Sequence, residues 1–122
     1  MVIEIDFSSD EAIYMQLRNQ IIMGIATRAL CEGDALPSVR ALADDIGVNM
    51  HTVNKAYALL RSEGFLKLDR RTGAVVALDL DHLNALNCAK RDLIVPLAEA
   101  ACRGIDKDEI HALVEEIYSE YL

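Results

Sequence analysis

Apolar side chains recur at intervals of three and four residues along the N-terminal part of the chain, the spacing that lines one face of an α-helix. The first such stretch carries isoleucine or leucine at every fourth position from Ile13 to Ile25. It follows Ser8-Ser9-Asp10, a cluster of residue types that are favoured at helix N-termini. The pattern therefore predicts an amphipathic helix that begins after this cluster and ends near Ala29.

Two shorter helices are predicted next, separated only by the turn Gly47-Val48-Asn49. Ser38 can cap the first helix and Gly47 can end it, while Asn49 can cap the second helix and Gly64 can end it. The positions expected to face the core are Val39, Leu42, Ala43, Ile46, Val53, Ala56, Tyr57 and Leu60.

After Gly64 the pattern changes from helical spacing to short apolar runs. The pattern predicts two strands, Phe65–Asp69 and Ala74–Leu78, joined by the polar loop Arg70-Arg71-Thr72-Gly73. Such a pair with one glycine in the loop is typical of a β-hairpin. Two short helices joined by a tight turn and followed by a hairpin predict a winged helix-turn-helix.

The C-terminal part predicts two further helices. One begins at Asp79 or Asp81 and is closed by Gly104, and Pro96 lies within it. Because proline lacks a backbone donor and crowds the carbonyl four residues earlier, a kink or break is expected between about Asp92 and Pro96. The fold class is thus mainly α with a small β-hairpin: a winged helix-turn-helix over residues 1–78 and a two-helix appendage over residues 79–122.

The last helix begins at Asp106, which forms a capping-box-like pair with Glu109. Its apolar stripe is more surface than a lone terminal helix leaves exposed, since each large side chain gains about 1.5 to 3 kcal/mol on burial. We expect the helix to pack in part on its neighbour within the chain and, in addition, on a second copy in a twofold dimer. The expected dimerisation residues are Leu93, Leu97, Ile110, Leu113, Val114, Ile117, Tyr118 and Tyr121.

The start of the third predicted helix carries side chains suited to reading DNA bases. Asn54 can make a bidentate contact with adenine, His51 can donate to a purine, and Met50 can pack on a thymine methyl. His51 fits an ordinary exposed histidine equally well, and Met50 is the weaker candidate. The residues expected to hold phosphates and set the register are Ser38, Arg40, Thr52 and Lys55, and those expected to form the wing are Arg70, Arg71, Thr72 and Gly73.

Charge is distributed unevenly along the 122 residues. The net charge is -8, yet residues 36–73 carry +2, between segments of -4 and -6. Charges farther apart than a Debye length of about 8 to 10 Å are largely screened, so a locally basic face can still bind a polyanion. In isolation those basic residues would fit a solvated surface as well; on a helix pair and a wing they favour DNA.

The remaining composition narrows the class of protein. Three cysteines without C-x-x-C spacing fit reduced, buried thiols, and with the three histidines they show no zinc-ligand spacing, so neither a metal nor a cofactor is expected. No P-loop, nucleophile elbow or dinucleotide turn is present, which argues against an enzyme. No apolar run reaches the about 18 residues that cross a bilayer, so a cytoplasmic protein without membrane contact is expected.

Several blocks of the chain carry a family resemblance: Ile13-Tyr14-Met15-Gln16-Leu17, residues 33–43, Gly47-Val48-Asn49, residues 52–60 and Glu63-Gly64-Phe65. In this order they resemble the GntR-type bacterial transcription regulators, in particular the short YtrA-like subgroup. The resemblance covers about residues 10 to 78. It implies a dimeric DNA-binding repressor whose Arg40, Asn49, Thr52 and Asn54 lie on the DNA, with two C-terminal helices for dimerisation.

The sequence thus predicts a homodimeric transcription regulator that acts as a repressor at an inverted-repeat operator in double-stranded DNA. The overall acidity supports one alternative, a winged-helix adaptor that binds protein and not DNA. The operator, the regulated genes and the existence of a small-molecule effector are left open.

Overall fold

The computed structural model describes residues 2–122 of the chain. Over this range the elements are α1 (Ile13–Ala26), α2 (Val39–Ile46), α3 (Met50–Ser62), β1 (Leu66–Asp69), β2 (Gly73–Val76), α4 (His82–Cys102) and α5 (Lys107–Tyr121). The prediction of a mainly helical fold with one small hairpin is confirmed. The chain separates into two compact units, Met1–Asp79 and Leu80–Leu122.

Helix α3 is the centre of the first unit, since α1, α2 and β1 all pack against it. Its inward face is buried as predicted, with Val53 and Leu60 fully inaccessible to solvent. The other side chains of this core include Leu17, Ile21, Leu36, Leu42, Ala43, Ala56, Tyr57, Leu66 and Val76. Burial of one face of α3 leaves its opposite face free for other contacts.

Helix α1 begins after the polar cluster, as predicted, but the cluster does not cap it. The helix begins at Ile13, and its N-cap residue Ala12 makes no side-chain capping bond. The polar cluster is used in a turn instead: the Asp6 carboxylate accepts from both the amide and the hydroxyl of Ser8, and the Ser9 hydroxyl accepts from the Glu11 amide. The hydrogen bond from the Ser8 hydroxyl is the main cause that lowers the pKa of Asp6.

The C-terminal end of α1 falls short of the predicted Ala29. The helix stops at Ala26 because the chain turns away at Arg28, whose φ of 64° lies in the left-handed region. That conformation is uncommon for a residue with a side chain and is incompatible with a continuing right-handed helix.

The caps of α2 and α3 agree with the prediction. The Ser38 hydroxyl accepts from the Ala41 amide at 3.1 Å, and the Asn49 side chain accepts from the His51 amide at 2.8 Å. Gly47 ends α2 in the left-handed conformation at φ 71°. Gly47 and the Asn49 cap therefore set the turn between the two helices within three residues, and Ser38 sets the start of α2.

The hairpin is present, with shorter strands and a shorter loop than predicted. Asp69 pairs with Gly73, so Gly73 belongs to β2 and the loop is Arg70-Arg71-Thr72. Val75 also forms a bridge with Ala35, which places the segment before α2 along the outer edge of β2. The hairpin is therefore tied to the helix-turn-helix on both sides.

In the second unit, α4 runs without interruption through Pro96, so the break considered above does not occur. A proline removes one backbone hydrogen bond, and the hydrogen bonds on either side of it keep the helix continuous. The predicted capping box of α5 is confirmed, with reciprocal bonds between Asp106 and Glu109. Within residues 2–122 no helix is long and apolar enough to span a membrane.

The prediction that the cysteines are buried is wrong. Cys31 and Cys102 are exposed and Cys88 is half-buried, and all three are free thiols. Cys31 lies in the turn after α1, where its Sγ contacts the Arg28 carbonyl at 3.5 Å, and Cys102 ends α4, a helix without buried residues.

Candidate nucleic-acid interface

The N-terminal half of α3 presents a continuous polar face to solvent. Asn49, Met50, His51, Asn54 and Lys55 are exposed and Thr52 is half-buried, whereas Val53, Ala56 and Tyr57 point into the core. This division follows from helical geometry, because the buried and exposed sets recur with the same spacing on opposite sides. The predicted base-reading and positioning side chains of α3 thus lie together on one accessible surface.

Two residues predicted to contact DNA, Asn49 and Ser38, already use a side-chain oxygen in a hydrogen bond within the fold. The Asn49 side-chain oxygen accepts a hydrogen bond from the His51 amide, which leaves the side-chain NH₂ group of Asn49 free to donate. The Ser38 oxygen holds the Ala41 amide, and its hydroxyl proton can still be donated. Both residues can therefore contact a phosphate only as donors.

Lys55 has a neighbour that the sequence analysis missed. Its Nζ lies 4.1 Å from the centroid of the Tyr14 ring on α1. A cation over an aromatic face gains about 0.5 to 1 kcal/mol at an exposed site. The ring holds the ammonium near the junction of α1 and α3, so Lys55 is oriented before any ligand arrives.

The hairpin loop is held by its own backbone contacts. The Asp69 carboxylate accepts from the Arg71 amide at 2.8 Å and from the Thr72 amide at 3.3 Å. The bond from the Arg71 amide is the largest cause that lowers the pKa of Asp69, followed by the bond from Thr72. Arg70, Arg71 and Thr72 are exposed, so their side chains remain available to a ligand.

The arginines of the predicted interface keep their charges unpaired. Across residues 2–122 the one salt bridge joins Arg18 to Glu63, away from the predicted contacts. Arg40, Arg70 and Arg71 are exposed and have no carboxylate partner in that range. Unpaired guanidiniums suit phosphate groups, because their planar donors match two phosphate oxygens at once.

A cleft of about 280 Å³ lies between α3 and the hairpin and brings the separate parts of the site together. Of the predicted DNA contacts, Ser38, Asn54, Thr72 and Gly73 line it. The other predicted contacts, including Arg40, His51, Arg70 and Arg71, do not. The lining also includes Tyr57, Arg61 and Lys67, which sequence reasoning did not assign to the site, although Arg61 lies seven residues after Asn54 and hence on the same helical face.

Tyr57 lies at the base of this cleft. Its side chain is 7% exposed, and its hydroxyl donates a 2.8 Å hydrogen bond to the Pro37 carbonyl. Burial raises the pKa of this hydroxyl to about 12. Tyr57 therefore packs in the core, as predicted, and its hydroxyl in addition ties α3 to the segment before α2.

The second unit exposes the predicted dimerisation residues. Of the eight, Ile110 is half-buried and the other seven are exposed, from 40% for Ile117 to 64% for Tyr118. No residue of α4 or α5 is buried, so packing of α5 on α4 within one chain covers its apolar stripe only in part, as expected. Between the helices lies an apolar groove of about 600 Å³, lined by residues such as Leu93, Leu97, Leu113 and Ile117.

No cluster of three or more His, Cys, Asp or Glu side chains in the described part of the chain could hold a metal ion. The exposed groups that the predicted DNA-facing surface offers a ligand are hydroxyls, amides, an ammonium and guanidiniums.

Comparison with known proteins gives consistent matches. The family model described as "Bacterial regulatory proteins, gntR family" matches residues 10–76. The HTH-type transcriptional repressor YtrA of Bacillus subtilis (strain 168) is 30% identical over 122 residues, which cover 98% of this chain and 94% of the relative.

Two solved structures extend the comparison. A Listeria monocytogenes EGD-e protein described as a transcriptional antiterminator superposes with a TM-score of 0.85 at 29% identity, over 98% of this chain and 91% of the other. The AraR(DBD) chain solved in complex with operator ORX1 gives a TM-score of 0.54 at 26% identity, over 62% of this chain and 96% of the other. The first match spans both units, and the second spans a length close to that of the winged helix-turn-helix.

Proposed function

Because this chain belongs to the GntR family of bacterial regulatory proteins, we propose that it is a dimeric repressor that binds an inverted-repeat operator. As a member of this family it is a transcription regulator with a helix-turn-helix DNA-binding domain and not an enzyme. The proposal assigns DNA binding to the unit Met1–Asp79 and dimerisation to the unit Leu80–Leu122.

The observation that carries this proposal is the exposed polar face at the start of α3, flanked by unpaired arginines on α2 and on the hairpin loop. A major groove about 12 Å wide admits one helix, whose N-terminal side chains meet the base edges. When this protein is bound to its operator, Asn54, His51 and Met50 contact base edges, and Asn54 makes the bidentate contact with adenine.

The phosphate contacts come from both helices of the motif. Arg40 on α2 and Thr52 and Lys55 on α3 neutralise or hydrogen-bond phosphates, and Ser38 and Asn49 add their remaining donors. These contacts fix the register of α3 in the groove and carry no sequence information of their own.

The hairpin acts as the wing. Arg70 and Arg71 lie in a loop whose backbone is held by the Asp69 carboxylate, so little backbone entropy is lost when they meet the DNA backbone or a narrow minor groove. Thr72 and Gly73 allow the loop to approach the sugar-phosphate chain closely.

Dimerisation explains the apolar surface of the second unit. Contiguous apolar patches larger than about 300 to 600 Å² are rare on monomers and mark interfaces. Leu93 and Leu97 on α4 and Leu113, Val114, Ile117, Tyr118 and Tyr121 on α5 supply such a face, with Ile110 at its edge. A twofold axis through it would present two copies of α3 to two half-sites.

Repression follows from occupancy of DNA near a promoter, and the named activity of the Bacillus subtilis relative as a transcriptional repressor supports it.

Footprinting of the purified full chain on the DNA upstream of its own gene tests this proposal. We expect protection of two half-sites related by a twofold axis, with centres about 10 base pairs or a small multiple apart. Protection of a single unpaired half-site would contradict the dimeric assignment. Absence of any protection, with capture of a protein partner by the same α3 face, would favour the adaptor alternative.

A further inference from the structure

The cleft between α3 and the hairpin has walls of two different chemical characters. Successive turns of α3 form one wall, with Asn54, Tyr57, Ala58 and Arg61. Residues 66–68 and 72–74 of the hairpin form the facing wall. Pro37, Ser38 and Val39 close one end. The cleft thus lies inside the first unit and shares its rim with the proposed DNA contacts.

Part of the cleft lining is apolar, and some of this apolar surface is exposed to solvent. Leu66 forms a buried floor at 4% exposure, whereas Leu68 on the same strand is 66% exposed. An isolated exposed leucine is common on protein surfaces, and what distinguishes Leu68 is its place in the lining of this cleft beside Leu66. Leu68 offers apolar surface to a ligand placed in the cleft.

The other part of the lining is cationic. Arg61 and Lys67 are exposed, and neither forms a salt bridge within residues 2–122. The nearest acid on the hairpin, Asp69, is occupied by the backbone amides of Arg71 and Thr72, although the charge of Lys67 contributes to lowering its pKa. Two cations beside one engaged carboxylate leave the cleft with a positive excess.

From this combination we propose that the cleft binds a small organic anion with an apolar part, such as an aryl or alkyl phosphate or carboxylate, which competes with operator DNA. The anionic group meets Arg61 and Lys67, and the apolar part rests on Leu66 and Leu68. The volume of about 280 Å³ is just below the range of about 300 to 1,000 Å³ that is usual for ligand pockets, which limits the ligand to a small molecule.

Competition with DNA rests on the proposed function. Asn54 and Thr72 line the cleft and are also assigned to the operator contact. A ligand that occupies the space between them cannot coexist with a base and a phosphate at the same side chains. The ligand therefore acts as an inducer by lowering the population of the DNA-bound form.

The binding step can be tested without DNA. Phenyl phosphate, inorganic phosphate and benzyl alcohol are titrated into the full chain while backbone amide NMR shifts are followed. Phenyl phosphate should shift the amides of residues 57–61, 66–68 and 73–74 saturably, and should bind at least about tenfold more tightly than either of the other probes, since each lacks one half of the interaction.

Matched variants separate this site from general charge effects. Arg61→Gln/Lys67→Gln should weaken phenyl phosphate binding by about tenfold or more, whereas Lys90→Gln/Arg91→Gln on α4 removes the same charge and should change it less than about twofold. Leu68→Ser should weaken phenyl phosphate and leave inorganic phosphate unchanged. The proposal is overturned by equal binding of all three probes, by shifts confined to Arg70 and Arg71, or by equal effects of the two double variants.

A final titration adds phenyl phosphate to the protein bound to its upstream DNA. Release of the DNA by the wild type and not by Arg61→Gln/Lys67→Gln supports competition, and a ternary complex overturns it. Failure of the two proposals can be distinguished: a protein that binds phenyl phosphate at this cleft but no DNA retains the ligand site, and one that binds DNA but not phenyl phosphate retains only the regulator function.

Discussion

The hydroxyl of Tyr57 lies 2.8 Å from the carbonyl oxygen of Pro37, and it donates a hydrogen bond to it. Tyr57 belongs to α3, and Pro37 immediately precedes the N-cap residue of α2. The bond therefore fixes the entry of one helix of the DNA-binding motif against the side of the other. Its donor is buried, so the interaction is protected from exchange with water.

This bond predicts a specific loss of stability in alkali. The pKa of Tyr57 is raised from 10.0 to about 12 by burial, so between these values the folded chain holds the phenol proton more tightly than the unfolded chain does. The associated stability is fully present below pH 10 and is lost as the pH rises toward 12.

Urea unfolding at about pH 9 and about pH 11, at one fixed protein concentration, measures this effect. The decline in the free energy of unfolding should be smaller in Tyr57→Phe than in the wild type. Tyr14→Phe, which keeps the ring beneath Lys55, serves as the control and should decline like the wild type. Identical pH dependence in all three proteins would show that Tyr57 does not carry the effect.

Local capping was the part of the fold that the sequence predicted best. Ser38, Asn49 and Asp106 each bind a backbone amide two or three residues further along, an interaction that depends on neighbouring residues alone. The same residue types at Ser8-Ser9-Asp10 precede α1 as predicted but do not cap it, because Asp6 recruits Ser8 into a separate turn.

Contacts between distant segments could not be predicted in the same way. The stacking of Lys55 on Tyr14 joins residues 41 positions apart, and the cleft containing Lys67 exists only because the hairpin folds over α3. Sequence spacing identifies which residues share a helix face, as for Asn54 and Arg61. It does not state which other element comes to lie opposite that face.

Replacement of Gly64 by alanine is predicted to lower the stability of the fold. The φ of Gly64 is 88°, and a Cβ added there would lie 2.8 Å from the Asp79 Cβ. Gly47 has a similar φ of 71° with no atom within 4 Å of such a Cβ. Both alanine variants incur about 1 to 2 kcal/mol of left-handed backbone strain, and Gly64→Ala adds a steric clash.

Thermal or urea unfolding should therefore show Gly64→Ala to be the less stable of the two by at least about 1 kcal/mol. Gly47→Ala is the matched control for backbone strain. Equal destabilisation by both variants would mean that the segment around Asp79 moves aside without cost.

Asn54 and Arg40 are predicted to affect DNA binding in different ways. Asn54→Ala removes a base contact, so it should cost about 1 to 3 kcal/mol on the preferred operator and relax the preference at one base pair. Arg40→Ala removes a phosphate contact, so it should weaken all sequences alike and flatten the salt dependence. Affinities for a set of singly substituted operators measure both, and an identical profile for the two variants would refute the division of roles.

Ile117 is predicted to hold the dimer together. Its side chain is 40% exposed in the single chain, within the apolar groove between α4 and α5. Ile117→Glu places a charge in the proposed interface and should yield a monomer with much weaker operator affinity. Ser119→Glu, on the same helix but outside the apolar stripe, is the control and should remain dimeric. Sedimentation velocity decides the matter, and an unchanged sedimentation coefficient for Ile117→Glu would argue against this interface.

The salt dependence of DNA binding tests the account most directly, because it asks whether a chain of net charge -8 neutralises phosphates through one local face. The affinity of the full chain for its upstream DNA is measured over a series of salt concentrations. Log affinity should fall linearly with log salt, with a slope of about -0.9 per phosphate contacted, and Arg70→Gln/Arg71→Gln should make that slope shallower by about 1 to 2. Lys90→Gln/Arg91→Gln should leave it unchanged. Affinity that does not vary with salt, or a slope indifferent to the loss of Arg70 and Arg71, would contradict the assignment of this face to DNA.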